Sequence, residues 1–201
     1  MMREMIEKKP DYLVLVNEDN RLPDGFEDTV ELISVENVAG NRFMVEKKTY
    51  DAFLRLQEDV LKNDSIQTVL LGSYRTVKQQ EETFAWNLKE YGWEHTCKYV
   101  AKPGCSEHHT GFAIDVGILL EGKLCRARKD LLSVDHLFKI VQKKLPQYGF
   151  ILRYPKGKES VTKIAYEPWH YRYIDSPEIA REITDQGICF EEYRQTVSGE
   201  K

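Results

Sequence analysis

Apolar residues recur along the chain with two periods, and the changes between them mark the elements. YLVLVN at residues 12–17 reads as a strand, followed by a turn-rich segment through Pro23, Asp24 and Gly25. From about Lys48 to Asn63, Tyr50, Phe53, Leu54, Leu56, Val60 and Leu61 recur at mainly helical spacing, which predicts an amphipathic helix with a core face. SIQTVLLGS at 65–73 predicts the next strand. Thr76 then offers an N-cap, with Gln79 completing a capping box, and Val77, Phe84, Leu88 and Tyr91 continue a helix that Gly92 terminates. Arg75 therefore falls at a strand-to-helix junction.

After a loop holding Pro103 and Gly104, GFAIDVG at 111–117 alternates as a strand, and EGK at 121–123 reads as a turn. Val134, Leu137, Phe138, Val141 and Leu145 mark a helix that stops near Pro146. FILRY (150–154), VTKIAY (161–166) and WHYRY (169–173) read as successive strands of an antiparallel meander. Ser176 as N-cap with Pro177 behind it opens a helix that Gly187 closes. Helices set around mostly antiparallel strands make the class α+β.

The 201 residues contain no internal repeat, low-complexity tract or Gly/Ser linker, so the expectation is one domain over 1–201 with a central, mostly antiparallel sheet and flanking helices. With 41 % apolar and 31 % charged residues the composition is that of a soluble globular protein, and no run approaches the roughly 18 apolar residues of a membrane span. A formal net charge of −4 without a basic stripe argues against nucleic acid as a partner. Cys97, Cys105, Cys125 and Cys189 show no CxxC spacing and read as isolated reduced thiols. The N-terminus has no apolar core followed by a small-residue cleavage site, which gives a cytoplasmic expectation; the alternative is an anchored or extracytoplasmic protein whose leader was removed.

The candidate chemistry lies in two short stretches. In GFAIDV, Phe112, Ile114 and Val116 take one face of a strand, while Gly111, Ala113 and Asp115 take the other. Asp115 is thus flanked by small residues, which lets a metal or a peptide backbone approach closely. A buried carboxylate costs several kcal/mol unless it is paired or coordinates a cation, and His108 lies near enough in sequence to share such a partner. In the second stretch, Pro168 excludes a helical zinc motif at Glu167-Pro-Trp-His170 and makes the segment extended. Trp169, Tyr171 and Tyr173 then form a core face, and His170 and Arg172 point the other way.

A lone histidine there is more often hydrogen-bonded than ligating, yet His108, Asp115 and His170 together make a mixed set of three with an open fourth position, as in a catalytic zinc site. Glu167 would then be the general base toward a water whose pKa zinc lowers to about 7. His109, beside a proposed ligand, has no assigned role. His95 on a loop and His136 on a helix read as surface residues, and Trp86, Trp93 and Trp169 as packing residues.

Ser106-x-His108-x-x-Gly111-x-Ala113-x-Asp115, followed some fifty residues later by Glu167-x-x-His170, resembles the double signature of the zinc D-alanyl-D-alanine peptidases. That group includes the VanX, VanY and VanXY enzymes, the LdcB-type L,D-carboxypeptidases and the hedgehog signalling domain. The wording PGCSEHHTGFAIDVG, YGFILRYP and YEPWHYRY is most similar to VanY and VanXY, and the likeness runs from about residue 65 to 174.

The resemblance implies a hedgehog-like zinc peptidase fold and one Zn2+ per chain on His108, Asp115 and His170, with Glu167 as catalytic base. It further implies Arg75, in GSYRTVKQQ, as the residue that stabilises the oxyanion and holds substrate, and Gln80 and Ser106 as contacts to the terminal D-alanine carboxylate. The substrate it implies is a peptide or peptidoglycan precursor ending in D-Ala-D-Ala, or the free dipeptide, cleaved as in vancomycin resistance. Two alternatives stay open, an L,D-carboxypeptidase on tetrapeptide stems and a non-catalytic zinc-stabilised binding module. Residues 118–133 carry no alignable pattern, and Asp130 or Asp135 there could equally be a surface charge.

Overall fold

Phe112, Ile114 and Val116 are fully buried on one face of a central strand, and the fold is built over them. The computed structural model describes residues 9–199. A 3-10 turn, Phe26–Thr29, precedes a hairpin, β1 (Leu32–Glu36) antiparallel to β2 (Arg42–Glu46). Helix α1 (Lys47–Asp64) follows directly, its first turn capped by the Glu46 carboxylate, and it buries Ala52, Phe53, Leu56 and Val60. Strand β3 (Gln67–Gly72) leads into α2 (Val77–Tyr99), whose Thr76–Gln79 capping box is formed as expected.

Strand β4 (Ala113–Leu120) turns through Glu121 and Gly122 into β5 (Lys123–Cys125), and two short helices come next, α3 (Arg128–Ser133) and α4 (Asp135–Gln142). After β6 (Phe150–Leu152) come a single helical turn, α5 (Glu159–Thr162), and strand β7 (His170–Tyr173). Helices α6 (Pro177–Gln186) and α7 (Phe190–Ser198) close the chain. The main sheet has the order β3-β4-β7-β6, with β5 on the far end of β4, and every pairing is antiparallel.

One core lies between α1, α4 and this sheet, where Trp169, Tyr171 and Tyr173 join the Phe112 face; a smaller one gathers Ile151, Ile174 and the apolar faces of α6 and α7. The expected division of WHYRY and GFAIDV into a core face and a polar face therefore holds. The α+β class holds with it, while the β1–β2 hairpin and α7 are elements that the sequence pattern does not announce.

Several expectations are corrected. Residues 12–17 form no strand: Val16 is fully buried, but the Tyr12 and Val14 carbonyls accept from Arg172 Nη2 at 3.0 and 2.9 Å, so a guanidinium takes the place of a neighbouring ladder. VTKIAY is likewise not a strand, because Lys163 takes a left-handed φ of 61° and Ala165 N donates to Lys98 O at the end of α2. The meander thus reduces to β6 paired directly with β7. Gly92 breaks the helical geometry with φ 78° and ψ 175°, yet the chain resumes its helix to Tyr99, which puts His95 on α2 and not on a loop. The helix expected over 134–145 ends at Gln142. Trp86 and Trp93 are not packing residues but are 55 % and 58 % exposed. All four cysteines are free.

Candidate active site

Three neighbouring strands and one turn bring the site together. Asp115 on β4 stands directly across from Gly72 on β3 and from His170 on β7, so cross-strand register places the carboxylate and one imidazole side by side. A Cβ on Gly72 would lie 2.8 Å from Asp115 Oδ2, so only glycine leaves the carboxylate its room. His108 arrives from a 3-10 turn, Glu107–Thr110, that ends at Gly111 with φ 77°. This turn, rather than an extended segment, separates the two histidines.

His108 Nδ1 donates to the Ser73 carbonyl at 2.8 Å, since a carbonyl only accepts. Its Nε2 is then an acceptor, and it faces Asp115 Oδ2 at 3.2 Å. Burial pushes the His108 pKa down, and Asp115 pulls the other way. A nitrogen and a carboxylate oxygen this close have a proton or a metal ion between them. His170 Nδ1 lies 3.0 Å from Asp115 Oδ1, and the three ligating atoms of His108, Asp115 and His170 all lie within 4.8 Å of one another. Two imidazoles and a carboxylate converging in this way fit zinc.

Burial alone would lower the His170 pKa, but Asp115 and Glu107 on either side of the ring raise it to about 9. Desolvation would raise the Asp115 pKa, but His108 and His170 beside it hold it well below the usual carboxylate range. Glu167 sits in the turn before β7 with its Oε2 3.9 Å from His170 Nδ1. Desolvation pushes its pKa up to about 7, an ionisation near neutrality that suits proton transfer in both directions.

A cavity of about 180 Å³ is lined by all seven residues singled out from the sequence: Arg75, Gln80, Ser106, His108, Asp115, Glu167 and His170. Arg75 does stand at the β3–α2 junction, where its N–H donates to His108 O and its guanidinium to Gln80 Oε1 at 2.6 Å. Gln80 is itself buried and donates to the Ala101 carbonyl at 2.7 Å, so it holds Arg75 in place. His109, given no role by the sequence, is a buried brace: its Nδ1 donates to Arg75 O at 2.6 Å and its Nε2 accepts from Gly104 N at 3.1 Å. His136 is exposed on α4, as expected.

Beneath the site lies an ionic cluster that sequence reading missed. Glu107 Oε1 accepts from Arg153 Nε at 2.7 Å and from Arg172 Nη1 at 2.8 Å, and Arg153 forms a two-pronged pair with Glu191 at 2.7 and 2.8 Å. Two positive and two negative groups balance, which is how charges with no solvent exposure are tolerated. Desolvation would raise the Glu107 pKa, but the two guanidiniums hold it far below the usual range. Arg128 was also missed, from the segment without a pattern; its guanidinium lies 3.5 Å from Glu167 Oε1 and donates to Tyr166 O at 3.3 Å.

A family model described as VanY, D-alanyl-D-alanine carboxypeptidase, matches residues 42–176. The bifunctional D-Ala-D-Ala dipeptidase and carboxypeptidase VanXYC of Enterococcus gallinarum is 42 % identical over 127 residues, covering 62 % of this chain and 64 % of that protein, so the chain spans under two thirds of that relative. The structure of the D,D-dipeptidase VanXYg in complex with a D-Ala-D-Ala phosphinate analogue superposes with a TM-score of 0.77 at 29 % identity, covering 92 % of this chain and 70 % of that one. A mutant VanY D,D-pentapeptidase from a VanB-type resistance cassette, in complex with Zn(II), gives 0.74 at 30 % identity, with 90 % and 98 % covered. By its sequence match and its fold, the chain belongs to the VanY D-alanyl-D-alanine carboxypeptidase family.

Proposed function

We propose that the protein is a zinc-dependent D,D-peptidase that releases the terminal D-alanine of D-Ala-D-Ala-ended peptidoglycan precursors or splits the free dipeptide, in the manner of vancomycin-resistance enzymes. The observation that carries this reading is the meeting of His108, Asp115 and His170 with Glu167 and Arg75 in one cavity. One Zn2+ per chain on the two histidines and the aspartate supplies, when bound, a Lewis acid that polarises the scissile carbonyl and acidifies water.

The chain's own residues do the rest. Glu167 takes a proton from the attacking water and returns it to the leaving amine, a cycle suited to a carboxyl whose proton affinity burial raises. Arg75, steadied by Gln80, directs its fork at the negative charge developing on the carbonyl oxygen. Ser106 and the remaining amide proton of Gln80 face the terminal carboxylate of the substrate.

The test is D-alanine release from D-Ala-D-Ala and from tri-, tetra- and pentapeptide stems by chelated and zinc-restored protein. Glu167→Ala is expected to keep its fold and its zinc and to lose about 10²- to 10⁴-fold in turnover. Release that survives the substitution would remove Glu167 as the base. Release from the tetrapeptide but not from the pentapeptide would replace the D,D reading by the L,D one.

A further inference from the structure

Glu167 stands in a turn whose backbone is fixed from several sides. Its N–H donates to Tyr154 O at 3.2 Å, and its carbonyl accepts from His170 N at 3.2 Å. Gln142 Nε2 donates to the next carbonyl, Pro168 O, at 3.1 Å, and the Tyr166 hydroxyl donates to Asp135 Oδ1 on α4 at 2.6 Å. The Glu167 side chain is far less constrained. A glutamate turns about three bonds beyond its backbone, and among the described residues the one hydrogen-bond donor that reaches this carboxylate is Arg128 Nη1, 3.5 Å from Oε1.

The second oxygen faces the metal ligands. Glu167 Oε2 lies 3.9 Å from His170 Nδ1, the nitrogen that also meets Asp115 Oδ1 at 3.0 Å. The three ligating atoms themselves gather within 4.8 Å, and Glu167 is not one of that set. A carboxylate so near has two courses open to it. Held back, it acts as a base on water at the open position; released, it becomes a fourth ligand and takes that position for itself. Catalysis needs the first and is blocked by the second.

Arg128 is placed to decide between them. Its guanidinium lies 3.9 Å from the centre of the Tyr99 ring and 5.2 Å from that of the Trp169 ring, and its Nη2 donates to Tyr166 O at 3.3 Å. Two rings and a carbonyl therefore set the guanidinium's position without help from Glu167. Its contact with the carboxylate is long and falls on one oxygen, whereas Arg153 grips Glu191 with two prongs at 2.7 and 2.8 Å. A one-point contact turns the carboxylate and leaves its other oxygen open.

We propose that Arg128 is the positioning residue of Glu167: it draws Oε1 away from the metal ligands, so that Oε2 serves as a base and the carboxylate does not become a fourth zinc ligand. The catalytic half of this inference rests on the peptidase reading above; the ligand half does not.

The experiment measures zinc affinity, by competition with a chromophoric chelator, for wild type, Arg128→Ala, Glu167→Ala and the double variant. Arg128→Ala is expected to bind zinc about tenfold tighter, because the freed carboxylate adds a ligand, and to lose about 10- to 100-fold in kcat with KM within about twofold. In the Glu167→Ala background, removing Arg128 is expected to leave zinc affinity unchanged, since no carboxylate remains to swing. Thermal unfolding of the metal-free proteins checks the fold. Should alanine destroy it, Arg128→Lys carries the same comparison, because an ammonium keeps the charge but lacks the flat fork that stacks on the rings. Zinc affinity that rises by less than about twofold, or a rise that persists without Glu167, would overturn the assignment. The expected zinc pattern in a protein whose wild type releases no D-alanine would leave Arg128 its role and remove the peptidase reading.

Discussion

Glu107 Oε2 and His170 Nε2 face one another at 3.8 Å; both are buried, and neither has a hydrogen-bond partner among the described residues. The other oxygen of Glu107 is fixed by Arg153 and Arg172, and the other nitrogen of His170 faces Asp115. The carboxylate therefore reads out which ring nitrogen of His170 carries a proton. It asks for the proton on Nε2, which leaves Nδ1 as the nitrogen offered to a metal.

Glu107→Gln is accordingly expected to weaken zinc by about 10- to 100-fold, the usual cost of losing a partner behind a ligating histidine. With its oxygen toward the two guanidiniums the amide presents a donor to His170, and flipped it presents only a weaker acceptor. Competition with a chromophoric chelator measures the change, and thermal unfolding of the metal-free protein separates it from loss of fold. An unchanged zinc affinity would reduce Glu107 to a structural counter-ion.

Zinc uptake should release a proton. The pKa of His170 stands at about 9 in the metal-free site, so the ring is protonated at neutral pH and must give up that proton to ligate. Affinity is expected to climb as pH rises from about 6 toward about 9 and then to level off, by up to about tenfold per pH unit for one linked proton. Titrations in buffers of different ionisation enthalpy count the protons directly. No buffer dependence at pH 7 would mean that His170 is already neutral.

Much of the site was legible because its residues are placed by local rules. Alternation put Asp115 and His170 on the non-core faces of their strands, and the capping box fixed the start of α2 right after Arg75. The cluster under the site was not, since arginine and glutamate ordinarily signal exposure. Its one trace was position: Arg153 and Arg172 interrupt the apolar runs FILRY and WHYRY, and Arg172 falls on the His170 face. Residues 12–17 failed for a related reason. Apolar alternation reports burial, and a buried extended segment looks the same whether its carbonyls bind a strand or the guanidinium of Arg172. Arg128 reaches Glu167 only through the fold of 118–133, where no period exists to read.

The Arg153–Glu191 pair makes the stability of the fold sensitive to acid. Desolvation opposes ionisation of Glu191, but Arg153 overcomes it and depresses the carboxyl below its usual 4.5. A depressed acid stabilises above its unfolded pKa, and that contribution fades as pH falls through the folded value. Glu191→Gln should cost about 3–5 kcal/mol near neutrality by leaving two buried guanidiniums with the single negative charge of Glu107. In urea unfolding, the gap between wild type and variant should stay level above about pH 4.5 and close below it. A gap independent of pH would mean that the pair contributes packing and not charge.

Gly72 tests whether the metal centre depends on space in the sheet. Its backbone dihedrals do not demand glycine, as φ is not positive, so alanine is acceptable to the strand itself. What alanine lacks is room, with its Cβ 2.8 Å from Asp115 Oδ2 and 3.4 Å from Asp115 Cβ. The Asp115 carboxylate would have to turn away, and its backbone is held on both sides by β3 and β7, so the side chain alone must yield. Turning it breaks the 3.2 Å approach to His108 and the 3.0 Å approach to His170 together. Overpacking of this kind costs a fold about 1–3 kcal/mol, which leaves Gly72→Ala folded but less stable. Zinc affinity should fall by more than that strain alone explains, by about 100-fold or beyond, because one methyl group displaces the ligand that joins both histidines. Equilibrium dialysis against zinc alongside urea unfolding gives the two numbers, and a variant that loses stability but binds zinc normally would show that Asp115 is not the ligand at the centre of the set.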